Sequence, residues 1–186
     1  MGAAASAHDA ALARRSWPKV TDAAPDDAEL RRLLDAASLV ADHASLAPWR
    51  VIAIRGDARA RVGRAIADAA GAEGDAAAKL AAKPLRAPLL IAVVAVVREH
   101  PKVPAWEQEA VAAGVAHLLS LLLDEAGWGV MWRTGPHTRH PLVAEAHGLA
   151  PHERLLGWLY VGGRPEGARP PRRTESPAAG RLSTLD

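Results

Sequence analysis

Three short segments hold the side chains best suited to chemistry in this sequence. Arg14-Arg15-Ser16 puts two guanidinium groups beside a hydroxyl, a set that can grip a phosphate and the polar edge of a ring together. Asp42-His43 leads into Pro48-Trp49-Arg50 and collects an imidazole, an indole and a guanidinium in one loop ahead of a strand. Trp132-Arg133-Thr134-Gly135 offers an aromatic shelf with a cation and a hydroxyl at a strand end. Singly, each has an ordinary reading: an Arg pair is usually solvated, and Trp49 fits a core position.

Other chemistry is poorly supported. Cysteine is absent, which excludes disulfides, zinc–thiolate sites, iron–sulfur clusters and a thiol nucleophile. His137, His140, His147 and His152 lie close in sequence, but a loop and Pro141 interrupt their spacing. They are expected as solvent-exposed loop residues rather than metal ligands. His117, on an apolar helix, is expected at an interior or interface position. Glu107 and Glu109 sit two apart at a helix start, where they suit the positive end of the helix dipole better than an acid–base couple. No Gly-x-Gly-x-x-Gly turn, Walker lysine loop or Gly-x-Ser-x-Gly elbow is present.

The elements that must position these residues follow from periodicity and breakers. A short helix over 8–15 stops before Pro18. Asp26-x-x-Glu29 resembles a capping box that opens a helix carrying Leu30, Leu33, Leu34 and Ala37 on one face. Strands are expected at 49–55, 87–97, 128–132 and 155–161, and helices at 57–70, 75–83, 105–126 and 140–147. The 87–97 run is rich in Val and Ile and reads as buried on both faces. The 105–126 helix is apolar nearly all round, more than one subunit can cover. This order predicts a three-layer α+β fold with a central mixed sheet. The chain divides into a loose tail over 1–7, one domain over 8–163, and a Pro/Gly/Arg-rich extension over 164–186.

Composition narrows the partners. The 186 residues are 49% hydrophobic and 24% charged, and Lys plus Arg exceed Asp plus Glu by only two. The pI near 9.4 reflects four Lys, one Tyr and no Cys, not a basic face. Nucleic-acid binding is therefore not expected. The start lacks a leader pattern and no apolar run reaches ~20 residues, so a cytoplasmic protein without membrane contact is expected.

Six ordered matches, set between about residues 12 and 163, resemble the FMN-dependent nitroreductase family, and most closely its small YdjA-like branch. They are Arg14-Arg15-Ser16, Asp42-His43, Pro48-Trp49-Arg50, Arg86-Ala87-Pro88, Lys102-Val-Pro-Ala-Trp106-Glu-Gln-Glu109 and Trp132-Arg133-Thr134-Gly135. Ala41 stands where the branch usually has proline, and the chain beyond Arg164 does not align.

The resemblance implies a homodimer with FMN at the subunit interface. Arg14, Arg15, Ser16, Trp132, Arg133 and Thr134 would contact the flavin from one subunit, and Leu39 and His43 from the other. It places the nicotinamide of NAD(P)H near 122–127, and suggests Arg172 or Arg173 for the phosphate. The flavin would carry the hydride chemistry, so no protein catalytic residue is expected, and electrons would pass to a nitroaromatic or quinone-like acceptor. The alternatives are a flavin-holding protein without turnover, and a dehalogenating or flavin-fragmenting relative. The latter carry extra lid segments, for which this length leaves little room.

Overall fold

A computed structural model of the chain describes residues 6–172 and 180–185. Its elements are α1 (Ala7–Ala13), α2 (Asp27–Ala37), β1 (Trp49–Ile54), α3 (Asp57–Ala69), α4 (Gly74–Ala81), β2 (Leu89–Val96), α5 (Ala105–Glu125), β3 (Trp128–Arg133), α6 (Pro141–Ala146) and β4 (Glu153–Gly163). Two short 3₁₀ turns, at His43–Ser45 and Lys83–Arg86, join them.

The strands form one sheet in the order β1-β2-β4-β3. Every neighbouring pair is antiparallel, which corrects the expectation of a mixed sheet. The reason lies in α5. That helix is 21 residues long, enough to run roughly 32 Å back across the sheet at 1.5 Å per residue. β3 therefore restarts in the direction of β2, but β4 inserts between them and opposes both. Strands that point the same way are never hydrogen-bonded neighbours.

All eight residues of β2 are buried, as its Val/Ile content requires. Leu89, Ile91 and Val93 face α2 and α5, where they meet Leu30, Leu33, Val115, Leu119 and Leu123. Leu90, Ala92 and Val94 face α3 and α6, where Val62, Val143 and Trp158 complete the second core. This produces the three layers. α2 begins with half a capping box: Asp26 Oδ1 accepts from the Glu29 amide at 2.8 Å. Glu29 does not return the bond; its carboxylate instead accepts from Trp128 Nε1 at 3.0 Å, tying α2 to β3.

The segment after α1 lies along the β3 side of the sheet. Trp17 N donates to Val130 O and Thr21 N to Gly163 O. A side chain at Gly129 or Gly162 would strike Val20, so these glycines let the segment lie flush. Among the described residues, no helix is long and apolar enough to cross a membrane.

Candidate functional site

Arg14 and Ser16 emerge where α1 ends, and they line a cavity of about 330 Å³ with His117, Ser120, Leu121 and Trp132. Arg14 NH1 lies 3.5 Å from Ser16 Oγ. Arg15 turns the other way. One of its terminal nitrogens donates to the carbonyls of Leu12, Ala13 and Arg14 at 2.7–2.9 Å. It thereby caps α1, whose last turn holds no other basic residue.

Trp132 also borders a larger cavity of about 730 Å³ on the opposite face of the sheet. Arg133 and Thr134 line that cavity, as do Lys83, Arg86 and Tyr160. No carboxylate lines it, and neither Lys83, Arg86 nor Arg133 makes an ion pair among the described residues. Its floor is apolar and aromatic, with Ile66, Met131 and Trp158. Three cations over such a floor suit a flat ligand that carries negative charge.

Several polar groups here lack partners. Trp132 Nε1 and Arg133 Nε are buried and make no hydrogen bond. Tyr160 is 6% exposed, and its hydroxyl has no hydrogen bond among the described residues. The Arg133 guanidinium lies 5.3 Å from the Tyr160 ring centre. Burial pushes the Tyr160 phenol up from its ordinary value, and the charges of Arg133 and Arg86 oppose that rise. Leaving a buried polar group unpaired costs about 1–3 kcal/mol, and Trp132 Nε1 and Arg133 Nε are the two such atoms at this corner among the described residues.

Gly157 makes this corner possible. Its φ is +141°, and a Cβ there would lie 2.6 Å from Arg133 O and 2.7 Å from Trp132 Nε1. The β2–β4 register shifts beside it, between Val93 and Val94, as a bulge requires. From the other side, His147 Nε2 accepts from Trp158 Nε1 at 2.9 Å while His147 Nδ1 donates to Val143 O at 2.7 Å. His147 is thus buried, not an exposed loop residue as expected, because α6 tucks it under the sheet. Burial holds it below its ordinary pKa, and the Val143 carbonyl only partly offsets this. Of the two positions expected for His117, interior or interface, the single chain excludes the interior: the residue is exposed, its ring edge-on to Trp132 at 4.7 Å.

Leu39 and His43 lie elsewhere. Leu39 is 83% exposed just beyond α2, and neither residue lines the two cavities. His43 Nδ1 is 2.8 Å from Glu107 Oε1 in the first turn of α5. His117 and Leu121 belong to the other half of that helix, about 15–20 Å along its axis. One copy of the chain therefore does not bring the two sets together.

The 122–127 segment lines neither cavity. Leu123 is core, and Asp124 is ion-paired to Arg164 at 2.9 Å. Arg172 is exposed, and Arg173 lies outside the described residues. Among the described residues no cluster could hold a metal ion. Sequence reasoning missed Lys83 and Tyr160, whose positions gain meaning only once α4 and β4 are packed. It quoted Arg86 only as part of a motif. It also gave Glu107 no partner, since His43 lies 64 residues away.

The nitroreductase family model matches residues 11–163. The chain belongs to the nitroreductase family. It is 37% identical over 152 residues to YdjA of Escherichia coli K12, provisionally named an NAD(P)H nitroreductase, covering 80% of this chain and 83% of the relative. A nitroreductase-like protein of Bacillus cereus superposes with a TM-score of 0.84 at 24% identity, over 100% of this chain and 99% of the other. An FMN-bound nitroreductase from Bacteroides fragilis superposes with a TM-score of 0.74 at 18% identity, over 98% and 100%. These two likenesses establish the three-layer nitroreductase-like fold.

Proposed function

We propose that two copies of this chain bind FMN between them and pass electrons from NAD(P)H to an electron-poor small molecule, nitroaromatic or quinone-like, as a cytoplasmic oxidoreductase. The observation that carries this reading is the corner around Trp132. There an unpaired, carboxylate-free set of cations adjoins buried polar atoms without partners. FMN fits that donor set, since it combines a phosphate dianion, a polar ring edge and a flat apolar body. The names of the Escherichia coli and Bacteroides fragilis proteins point the same way.

When bound, the flavin supplies the hydride chemistry. The residues of this chain bind and orient it. At Trp132, which borders both cavities, Arg14 and Ser16 would offer a cation and a hydroxyl and the neighbouring Arg133 positive charge. Positive charge beside a reduced, anionic flavin favours that form. The Trp132 and Trp158 indoles keep water from the ring. Arg15 supports Arg14 by fixing the end of α1 rather than by reaching into the cavity.

The second copy is argued from α5. A two-fold axis across its exposed face would bring the His43 end of one helix to the Arg14 end of the other. Trp106, 71% exposed, and Leu39, 83% exposed, would then be covered.

The test is an absorbance spectrum of the purified protein, as isolated and after FMN is added, followed by anaerobic NADH or NADPH. A bound flavin that bleaches with nicotinamide, in a particle of twice the chain mass, is the expected result. Protein that stays colourless after reconstitution overturns the reading. A bound flavin that neither nicotinamide bleaches selects the flavin-holding role.

A further inference from the structure

His43 is exposed and Glu107 half-buried, and although they sit on different elements they form one short contact, Nδ1 to Oε1, at 2.8 Å. An ionised carboxylate only accepts hydrogen bonds, so the shared proton resides on Nδ1. The imidazole is then left with Nε2 as its free nitrogen. About half of the His43 side chain remains open, so Nε2 has access to solvent or to a neighbouring molecule.

The support beneath this pair is rigid. Ala44, Ser45 and Ala47 hold φ values of +63°, +51° and +44°, left-handed conformations that non-glycine residues rarely adopt. Asp42 Oδ2 accepts from the Ala47 amide at 2.7 Å, and Arg98 donates to Leu46 O at 3.2 Å. Gln108, 0% exposed, bonds both backbone groups of Arg98 and the Val103 carbonyl. The next residue along α5 from Glu107 is thus an anchor, and strain in the His43 loop is held by bonds on both sides. Strain maintained in this way is a mark of functional positioning. The charged groups around the loop are Glu107 on α5, Asp42 within the loop and Arg98 beyond β2.

We propose that Glu107 is a positioning residue that holds His43 as its Nδ1–H tautomer, so that Nε2 delivers a proton to the electron acceptor. This rests on the cofactor and dimer reading above, which sets His43 of one copy beside the cleft of the other. The step balances. Two-electron reduction of a quinone to a hydroquinone takes up one hydride equivalent, originating in NAD(P)H, and one proton. Reduction of a nitro group to nitroso takes up the same pair and releases water. The protonated imidazole gives up its Nε2 proton and becomes the neutral ring that Glu107 holds by Nδ1–H. Water then returns a proton to Nε2 through the open side. A carboxylate that fixes the tautomer of a histidine in this way is a known means of making it an effective proton donor.

The test uses the FMN-loaded protein, its reduced form mixed rapidly with p-benzoquinone or with ferricyanide, which takes electrons without a proton. In Glu107→Gln and in His43→Gln the ratio of quinone rate to ferricyanide rate is expected to fall about tenfold, with no further fall in the double variant. A second readout does not depend on turnover. ¹⁵N NMR of the imidazoles should show His43 protonated at Nδ1 in the neutral ring, and Glu107→Ala should shift it toward Nε2–H. An unchanged rate ratio in both variants, or a wild-type His43 protonated at Nε2, overturns the proposal while FMN binding stands. A chain that takes up no FMN overturns the cofactor reading and the acceptor half of this proposal with it. The NMR result still decides the His43–Glu107 pair in that case.

Discussion

The two ends of α5 are built on opposite principles. At its start the polar side chains are paired within the chain. Glu107 meets His43, Gln108 makes three bonds to backbone, and Glu109 binds both Arg139 at 2.9 Å and Arg154 at 2.6 Å. Burial works to raise the Glu109 carboxyl, yet the two arginines hold it below its ordinary range. Apart from one carboxylate oxygen of Asp42, no side-chain atom of this end is buried without a partner among the described residues. The far end differs. Beside His117 and Leu121 lies Trp132, whose indole nitrogen is buried without a partner. The helix is thus anchored at the end where the chain satisfies its own polar groups and borders a cavity at the other. Stability should therefore respond most to changes at the first end, and ligand affinity to changes at the second.

The largest effect is expected at Gln108. Gln108→Ala leaves the Arg98 amide, the Arg98 carbonyl and the Val103 carbonyl without their partner; Gln108 and Val103 are buried, whereas the two bonds to Arg98 are part-buried. At about 1–3 kcal/mol for the buried carbonyl, and less for the two groups of Arg98 that water can reach, a loss of roughly 2–3 kcal/mol is expected. Urea unfolding at constant m-value measures it. A loss below about 1 kcal/mol would show that the paired end is not the anchor.

Next in size is an acid-dependent term from the same end. Glu153, at the start of β4, accepts from Arg50 Nε at 2.6 Å and from its NH2 at 2.8 Å, and from the Ala150 amide at 2.9 Å. The Arg50 hydrogen bonds lower its carboxyl from 4.5 to about 2, and its side chain is only 9% exposed. Because the folded value lies below the unfolded one, the stabilisation is complete above the unfolded value and disappears as pH falls toward about 2. Between neutral pH and pH ~3 this group should account for about 2 kcal/mol. The stability difference between those two conditions should shrink by that amount in Glu153→Gln. If it does not shrink, the ion pair lacks the strength its geometry implies.

The same division governs what the sequence disclosed. The strands and helices were legible because their signals are local: the Val/Ile run of β2, the Asp26 cap of α2, and the stop that Pro18 sets after α1. Antiparallel pairing was not legible, because it depends on β4 slotting between β2 and β3, a contact between distant segments. Arg14, Ser16 and Trp132 line one cavity. Leu39 and His43 do not join them within one copy. Lys83, Arg86 and Tyr160 converge only once the Lys83–Arg86 turn, packed against α3, lies over β4, and His147 was hidden because nothing in its neighbours marks Trp158 as its partner.

The smallest expected effect separates two adjacent arginines whose types give no reason to tell them apart. Arg14 lines the cavity with Ser16, whereas Arg15 is spent on three carbonyls of its own helix end. A charged hydrogen bond to a ligand contributes about 1.5–3 kcal/mol, while a cation at a helix C-terminus contributes about 0.3–1 kcal/mol. Arg14→Ala should therefore weaken FMN retention about tenfold or more with little change in melting. Arg15→Ala should lower stability by a few tenths to about 1 kcal/mol and weaken FMN only a few-fold, through a looser α1. Flavin fluorescence titration and thermal unfolding of the two variants, side by side, measure both quantities. If Arg15→Ala loses FMN as strongly as Arg14→Ala, the Arg15 side chain must leave the helix end when the ligand arrives, and the open end of α5 would extend to the cap of α1.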